Sequence, residues 1–144
     1  NFELVVQKAT ELGITSIVPI LSLRSEKKNL SLERLQKIAT EASEQCGRGD
    51  IPLINNVTTL DTALSSLPPT TYSIMFNMNE KSLLPLPKST DDTELALFIG
   101  PEGGWGDGDI TLMESANLHK YSLGQTTLRA ETAAISACAL VNLL

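Results

Sequence analysis

The sequence has few of the features that mark a secreted, metal-binding or membrane protein. Its 2 cysteines, Cys46 and Cys138, form neither a CxxC pair nor a disulfide-rich spacing, and this usage favours a reducing cytoplasm. The single histidine, His119, has no Asp or Ser constellation near it, and no His, Cys and carboxylate cluster suggests a metal. The most apolar run, residues 133–144, is too short to span a bilayer and predicts a buried helix or a subunit interface.

An excess of positive charge is also lacking, since the net charge is -6. This balance argues against strong non-specific binding to nucleic acid, because Lys and Arg neutralise phosphates in such complexes. The charge is uneven, however, and residues 1–50 hold most of the basic side chains. If RNA is bound, we expect this first third to contact it, with Lys8, Arg24 and Arg48 as candidate phosphate contacts.

Two apolar patterns with three- and four-residue spacing predict helices in the first third of the chain. The first runs from Phe2 to Leu12 and stops at Gly13. The second lies within residues 32–46, where Ser31 is a suitable N-cap and Gly47 a suitable end. The length of 144 residues predicts one domain with a core of its own.

Shorter apolar runs predict strands that alternate with further helices. We expect loops at residues 24–29 and 79–92, and a central strand at residues 95–99 that ends directly in Gly100-Pro101. The alternation indicates an α/β fold with a parallel sheet and helices on both faces, whose ligands bind beyond the carboxyl ends of the strands. The other predicted strands are residues 14–21, 51–57, 72–76 and 121–123, and the other helices are residues 61–67, a segment capped by Asp107 or Asp109, and residues 131–144.

The loop Gly100-Pro101-Glu102-Gly103-Gly104 is the first segment that indicates a ligand. Its glycines allow positive φ angles and bring backbone N–H and C=O groups against a bound molecule. The loop lacks the GK[ST] ending of a P-loop, and the carboxylate of Glu102 would repel a phosphate. A ligand that is neutral or cationic near the loop is therefore expected, and Trp105 is either a lid over it or part of the core.

The segment from Leu123-Gly124 to Ala133 is the second segment that indicates a ligand. A predicted strand leads into it and an apolar helix follows, so that Arg129 stands just before a helix N-terminus. The macrodipole at that position favours anions rather than cations. We therefore expect Arg129 to pair with Glu131, with Glu102 or with an anion of the substrate.

Four segments of the chain together resemble one known family. The chain is similar to the C-terminal catalytic domain of the RsmE family, SPOUT-class enzymes that methylate N3 of a uridine in small-subunit ribosomal RNA. The matching segments are Gln7-Lys8-Ala9-Thr10-Glu11-Leu12-Gly13, Glu41-Ala42-Ser43-Glu44-Gln45-Cys46-Gly47-Arg48, Phe98 to Trp105, and Leu123-Gly124 through Leu128-Arg129-Ala130-Glu131-Thr132-Ala133.

The resemblance implies a cytoplasmic homodimer that binds S-adenosylmethionine in a deep C-terminal trefoil knot. Residues 1–144 would be the catalytic domain, and a small PUA-like RNA-binding domain that precedes it in the family is absent from the chain. Arg129 is the candidate to stabilise the uridine anion, and Glu102 or Glu131 would orient Arg129 or accept the proton. The expected cofactor-binding residues are Ile99, Gly100, Pro101, Glu102, Gly103, Gly104, Leu123, Gly124, Leu128 and Thr132.

Two segments depart from the family pattern. Gln125-Thr126-Thr127 replaces a stretch that usually contains Pro and Arg, and Gly106-Asp107-Gly108-Asp109 replaces a Ser-containing helix cap. The aspartates preserve the cap chemistry, whereas a basic group near the cofactor or the RNA is lost. Two alternatives stay open: a non-catalytic RNA-binding or assembly module of the same fold, and a knotted methyltransferase that acts on tRNA or on another rRNA position.

Overall fold

The computed structural model describes residues 1–26, 29–78, 80, 86 and 92–143. Most of the predicted loop at residues 79–92, together with Lys27 and Lys28, lies outside this range. Within it, no helix combines the length and the apolar character that a membrane crossing needs. The elements are α1 (Phe2–Glu11), β1 (Ser16–Ile17), β2 (Ile20–Leu21), α2 (Leu32–Cys46), β3 (Leu53–Ile54), β4 (Thr58–Thr59), α3 (Leu60–Ser65), β5 (Tyr72–Phe76), β6 (Leu95–Ile99), α4 (Asp107–Ser115), β7 (His119–Tyr121) and α5 (Ala130–Leu143).

Local sequence signals set the ends of the first two long helices. At the start of α2 the Ser31 hydroxyl accepts the Arg34 N–H at 3.3 Å, which satisfies one of the free amides of the first turn. Gly13 follows α1 with a φ of 82°, and Gly47 ends α2 with a φ of 76°. Glycine adopts such angles without a steric penalty, and both predicted helices are confirmed.

All strand pairs in the described part of the chain are parallel. β1 pairs with β3 and β2 with β4, while the longer strands form a sheet in the order β6-β5-β7. The predicted parallel α/β architecture is confirmed. The prediction that residues 95–99 form the central strand is wrong, because β7 pairs on the opposite side of β5 and leaves β6 at the edge.

Several predicted strand boundaries are corrected. The run at residues 14–21 is divided into β1 and β2 by Pro19, which has no N–H and contributes only its carbonyl, to the Thr58 N–H at 3.0 Å. The run at residues 51–57 likewise contains only β3, and β4 begins just after it. The last strand starts at His119 rather than at Tyr121, since its polar first residues hide it from hydropathy patterns.

The sheet of β5, β6 and β7 buries apolar side chains on both faces. On one face Met75 and Phe98 pack with Met113 of α4 and Leu60 of α3. On the other, Ile74, Phe76 and Tyr121 pack against Ala137 of α5. This alternation follows from the two-residue period of a strand. A separate cluster joins α1 and α2 to β3 through Val6, Leu35, Ala39 and Ile54.

Candidate functional site

The carboxyl ends of β5, β6 and β7 lie side by side at one edge of the sheet. Phe76 is in register with Ile99 on one side and with Tyr121 on the other. The loops that follow these strands, at residues 77–78, 100–106 and 122–129, therefore leave the sheet together. Ligands of parallel α/β sheets bind at this edge, and both segments that the sequence analysis singled out are found there.

A small cavity of about 60 Å³ opens between the ends of β5 and β7. Leu123, Gly124 and Leu128, three of the expected cofactor contacts, line it. None of its lining residues carries a charge, so the cavity is suited to a neutral group and offers no cation to a phosphate. The lining consists of Phe76, Asn77, Met78, Ser122, Leu123, Gly124, Thr126, Leu128 and Ala133.

The end of β5 contributes a wall of the cavity that was not predicted from the sequence. Asn77 and Met78 follow directly after β5, and Ser122 and Thr126 complete the lining. The rule that ligands bind beyond the carboxyl ends of parallel strands applies to each strand of the sheet. Applied to residues 72–76, it would have indicated Asn77 and Met78. The expected contact Thr132 is exposed in the first turn of α5 and is not part of the lining.

The turn at Gly124 presents bare backbone to this cavity. Gly124 has a φ of 129°, and a Cβ built on it would meet no atom within 4 Å. The Ser122 hydroxyl donates to the Gly124 carbonyl at 2.9 Å and accepts the Gly124 N–H at 3.3 Å. The glycine is thus required by the backbone angle, and the space in front of it is free for a ligand.

The glycine loop at the end of β6 is a tight turn over a buried aromatic ring. The Gly104 N–H donates to the Pro101 carbonyl at 2.8 Å. Trp105 is buried, and its Nε1–H donates to the carbonyl oxygen of Phe76 at 3.1 Å. A Cβ on Gly100 would lie 3.2 Å from the indole, so the ring sits directly against the backbone. Trp105 is therefore part of the core, and the alternative of a lid is wrong.

The remaining expected contacts of this loop lie next to the cavity rather than in its lining. Ile99 ends β6, Pro101 is half-buried in the turn that follows, and Glu102 and Gly103 are exposed. The Gly103 carbonyl accepts a hydrogen bond from Nη1 of Arg24 at 3.0 Å. The structure thus brings Arg24, a predicted RNA contact, onto the glycine loop although 79 residues separate the two in sequence.

Arg24 and Arg129 are the two cations without a carboxylate partner among the Lys and Arg residues that the structure describes. Arg129 is exposed and stands at the end of the loop that lines the cavity. Its expected ion pair with Glu131 or Glu102 is not formed, which leaves an anion of the substrate as the expected partner. The other described cations form the pairs Lys8–Glu11, Arg34–Glu3, Lys37–Glu41, Arg48–Asp50, Lys120–Glu80 and Lys120–Glu114.

The candidate catalytic carboxylates are in different surroundings. Glu131 lies in the first turn of α5, with Oε2 3.9 Å from the nitrogen of Asn1 and 17% of the side chain exposed. Oε2 accepts no hydrogen bond in the described structure, and Glu131 does not line the cavity. Glu102, by contrast, is exposed on the glycine loop.

Arg48 has a structural role, in contrast to its predicted contact with RNA. Its Nη1 donates to the carbonyls of Thr10 and Ile14 at 2.7 and 2.9 Å, and Nη2 binds Asp50 at 2.6 Å. Only 13% of the side chain is exposed. The hydrogen bond from Arg48 also holds the pKa of the Asp50 carboxyl below its usual value. Arg48 therefore fixes the end of α1, and it has little capacity left for a phosphate.

Lys8, a predicted RNA contact, and His119, the single histidine, both have close neighbours in the structure. Lys8 contacts both carboxylate oxygens of Glu11 at 3.0 Å, so any phosphate would have to compete with Glu11. His119 is exposed in β7, where its ring stacks on Tyr72 with centroids 4.0 Å apart. Burial and Tyr121 raise the pKa of Tyr72 to about 12. In the described ranges no group of three or more His, Cys, Asp or Glu residues could hold a metal ion.

The polar and apolar groups at the carboxyl ends of the strands fit a nucleoside-like cofactor better than a phosphorylated one. The cavity offers backbone groups at Gly124, apolar walls from Leu123 and Leu128, and the polar side chains of Asn77 and Thr126. Such a surface binds a neutral ring through backbone hydrogen bonds and apolar contacts. Glu102 on the adjacent loop favours a cationic rather than an anionic group beside it. These properties are compatible with S-adenosylmethionine.

Comparison with known proteins identifies related sequences along almost the whole chain. The family described as RNA methyltransferase domain matches residues 1–142. The ribosomal RNA small subunit methyltransferase E of Rickettsia conorii is 36% identical over 147 residues, which cover 98% of this chain and 59% of the relative. The protein of the same name from Synechocystis is 35% identical and covers 100% of this chain and 50% of the relative. The chain thus spans about half to three fifths of these relatives.

Solved structures share the fold. A methyltransferase of Legionella pneumophila, in complex with the cofactor S-adenosylmethionine, superposes with a TM-score of 0.87 at 31% identity, over 99% of this chain and 60% of that chain. The ribosomal RNA small subunit methyltransferase E of Neisseria gonorrhoeae, bound to the same cofactor, gives a TM-score of 0.83 at 29% identity, over 96% and 58%. The resemblance found in the sequence is confirmed, and the chain belongs to the RNA methyltransferase domain family, among the RsmE proteins.

Proposed function

We propose that the chain transfers a methyl group from S-adenosylmethionine to N3 of a uridine in small-subunit ribosomal RNA. The observation that carries this proposal is the uncharged cavity at the strand ends, with the unpaired Arg129 beside it. The relatives from Rickettsia conorii and Synechocystis support the substrate class, since both are named as small-subunit rRNA methyltransferases.

The cavity holds only part of the cofactor, because a volume of about 60 Å³ is smaller than a nucleoside. We assign the rest to the neighbouring glycine loop, from Ile99 to Gly104. Gly124 and Leu128 then contact the adenosine part, and Glu102 faces the cationic part. The structures from Legionella pneumophila and Neisseria gonorrhoeae support this assignment, since both contain S-adenosylmethionine.

The bound cofactor supplies an electrophilic methyl group on a sulfonium. The protein has to place uridine N3 in line with it and stabilise the charge that appears when the imide proton leaves. We assign the stabilisation of the anion at O2 or O4 to Arg129, whose guanidinium has no carboxylate partner in the described structure. Because the imide lies on the Watson-Crick edge, the uridine must be unpaired or flipped out.

Glu102 is our candidate for the proton acceptor. It is exposed on the loop beside the cavity, whereas only 17% of the Glu131 side chain is exposed, in the first turn of α5. In this scheme the N3–H bond breaks as the proton passes to Glu102. The N3–CH₃ bond then forms as the sulfonium leaves as a neutral thioether, and the proton returns to water. No oxidant or further reactant is needed.

We further propose that residues 1–144 are the catalytic domain of an enzyme that acts as a homodimer in the cytoplasm, where ribosomal RNA is modified. The dimer is proposed from the family resemblance, and the apolar Leu140 of α5, which is 41% exposed, is available for such an interface. The trefoil knot is proposed from the family resemblance, and the parallel order β6-β5-β7 is compatible with it. The RNA-binding domain of the family would belong to the part of the relatives that this chain does not cover.

Titration with S-adenosylmethionine by calorimetry tests the enzyme against a non-catalytic module of the same fold. We expect saturable binding, and its absence would contradict the proposal. Mapping modified nucleotides in ribosomal RNA from a strain that lacks the gene tests the position. We expect N3-methyluridine to be lost from this RNA and to reappear when the gene is returned to the strain. Loss of a different modified nucleotide would favour a related methyltransferase that acts on tRNA or elsewhere on rRNA.

A further inference from the structure

Asp109 is a buried carboxylate that connects two distant segments of the chain. It is 3% exposed, in the first turn of α4. Oδ2 accepts the Gly106 N–H at 3.0 Å, and both carboxylate oxygens accept the Leu23 N–H, at 3.3 and 3.2 Å. The contact to Gly106 closes the helix start in the manner of a capping box. The contact to Leu23 is not needed for a cap, and it spans 86 residues.

The segment that Asp109 holds is a compact turn at residues 22–25. The Ser25 N–H donates to the Ser22 carbonyl at 3.1 Å, and the Ser25 hydroxyl accepts the Ser22 N–H at 3.0 Å. The turn lies on two glycines of the α4 start: a Cβ on Gly108 would be 2.9 Å from Cδ1 of Leu23, and one on Gly106 would be 3.2 Å from it. Because Gly106 and Gly108 have no side chain, there is room for this turn.

The turn presents two unusual side chains at the edge of the cleft. Arg24 donates to the Gly103 carbonyl with one nitrogen and has no carboxylate partner in the described structure. Leu23 is 71% exposed, more than the other exposed large apolar side chains described. A guanidinium is a strong phosphate ligand because it is planar and always charged. An exposed leucine beside it is an apolar surface for an unstacked base.

We propose that the turn at residues 22–25 is the RNA-strand contact of this cleft and that Asp109 is its positioning residue. Arg24 binds a phosphate next to the target uridine, and Leu23 packs against the neighbouring base once the uridine has left the stack. Asp109 fixes the backbone of the turn through Leu23 and so sets the distance of Arg24 from the glycine loop. This inference rests on the proposed function and adds the residues that grip the RNA strand.

Asp109→Asn tests the proposal because it keeps the size of the side chain and weakens its acceptor. Asp107→Asn is the matched control, since Asp107 has the same charge in the same helix turn, is exposed, and has no contact with Leu23. We expect Asp109→Asn to raise the KM and Kd for small-subunit ribosomal RNA roughly tenfold, while kcat and the cofactor Kd stay within about twofold. Asp107→Asn should leave all four within about twofold.

Arg24→Ala provides a second test that does not depend on a buried group. We expect it to weaken RNA binding to a similar degree. The slope of log K against log salt concentration should become shallower by about one, because one phosphate contact is lost. Asp109→Asn should add no further loss of RNA affinity in a variant that also carries Leu23→Ala and Arg24→Ala, because Asp109 acts through these two side chains. Additive losses, or an equal loss of cofactor affinity in Asp109→Asn, would show a general effect on folding and overturn the positioning role.

The two proposals fail in different ways. RNA affinity is measured without turnover, so a wild-type chain that binds the RNA but methylates no uridine would contradict the proposed function and leave the Asp109 comparison valid. Equal RNA affinities of the wild type and Arg24→Ala would overturn the present inference alone. A chain that does not bind small-subunit ribosomal RNA at all would overturn both.

Discussion

The indole Nε1–H of Trp105 donates to the main-chain carbonyl of Phe76 and joins the glycine loop to the end of the neighbouring strand β5. Phe76 is the last residue of β5 and also lines the cavity. The same ring fills the space that a side chain at Gly100 would need. One buried residue therefore sets the distance between two walls of the cleft.

Trp105→Phe should destabilise the fold, because the Phe76 carbonyl loses its indole donor and a smaller ring leaves a gap. We expect a loss of about 1 to 3 kcal/mol in the free energy of unfolding. Urea denaturation followed by circular dichroism measures it, since the variant has no tryptophan fluorescence. An unchanged unfolding midpoint would show that the hydrogen bond does not contribute.

Gly124→Ala should weaken cofactor binding through backbone strain. The φ of 129° is unfavourable for alanine, at a cost of about 1 to 3 kcal/mol, although the added methyl group would meet no atom within 4 Å. We expect a loss of roughly tenfold or more in affinity for S-adenosylmethionine by calorimetry. Gly49→Ala is the matched control, because Gly49 has equal space and no positive φ. Equal affinities for both variants would remove Gly124 from the site.

Arg129→Ala should abolish methyl transfer and leave the cofactor Kd within about tenfold, or about 1.4 kcal/mol. The reason is that the guanidinium is exposed beside the cavity and does not line it. Single-turnover assays and calorimetry on the same preparation separate the two quantities. Retained turnover would exclude Arg129 from the mechanism, and Arg129→Lys would show whether charge alone is sufficient.

Arg48→Ala should lower the free energy of unfolding by about 1 to 3 kcal/mol. It removes the donor of the half-buried Ile14 carbonyl and one of the two donors of the Thr10 carbonyl, which also accepts the Gly13 N–H. Arg34→Ala is the comparison. Arg34 is paired with Glu3, but both side chains are exposed, and pairs of that kind contribute about 0 to 1 kcal/mol. Chemical denaturation of both variants gives the two values. Similar losses would contradict the structural role of Arg48.

Cys138 should make the fold sensitive to alkaline pH. Burial raises the pKa of its thiol from 9.0 to about 11, so the unfolded chain releases this proton earlier than the folded one. This contribution to the free energy of unfolding is complete below about pH 9 and is lost as the pH rises to about 11, and it amounts to about 3 kcal/mol. Urea unfolding at about pH 8 and about pH 10.5 should show a smaller alkaline loss in Cys138→Ala than in the wild type. Cys46→Ala, at an exposed position, should behave like the wild type.

The helix ends and the longer strands were predictable because local chemistry determines them. Ser31 caps α2, Gly13 and Gly47 follow their helices, and the apolar run at residues 95–99 ends at Gly100 as expected. The order of strands was not predictable in this way. Which strand lies between β6 and β7 depends on how α4 returns the chain to the sheet, and no local residue pattern records that path.

The candidate site was predicted in part for the same reason. Motifs identified the loops that contain Gly100 and Gly124, since glycine is needed where the backbone bends or approaches a ligand. Asn77 and Met78 were missed, because an amide and a thioether after a strand have no distinctive pattern. The structural contacts of Arg48 were not foreseen, because a basic residue in a polar segment gives no sign that two backbone carbonyls, 34 and 38 residues away, face it.

The strand order β6-β5-β7 also has a consequence for how the molecule forms. Residues 76–78, the glycine loop and the segment at 122–133 become a cleft only after strands far apart in sequence have paired. Non-local parallel pairing is slow, because loop-closure entropy is lost before the contacts form. The cleft is therefore a late product of folding, and a ligand that binds it recognises only chains whose sheet is complete.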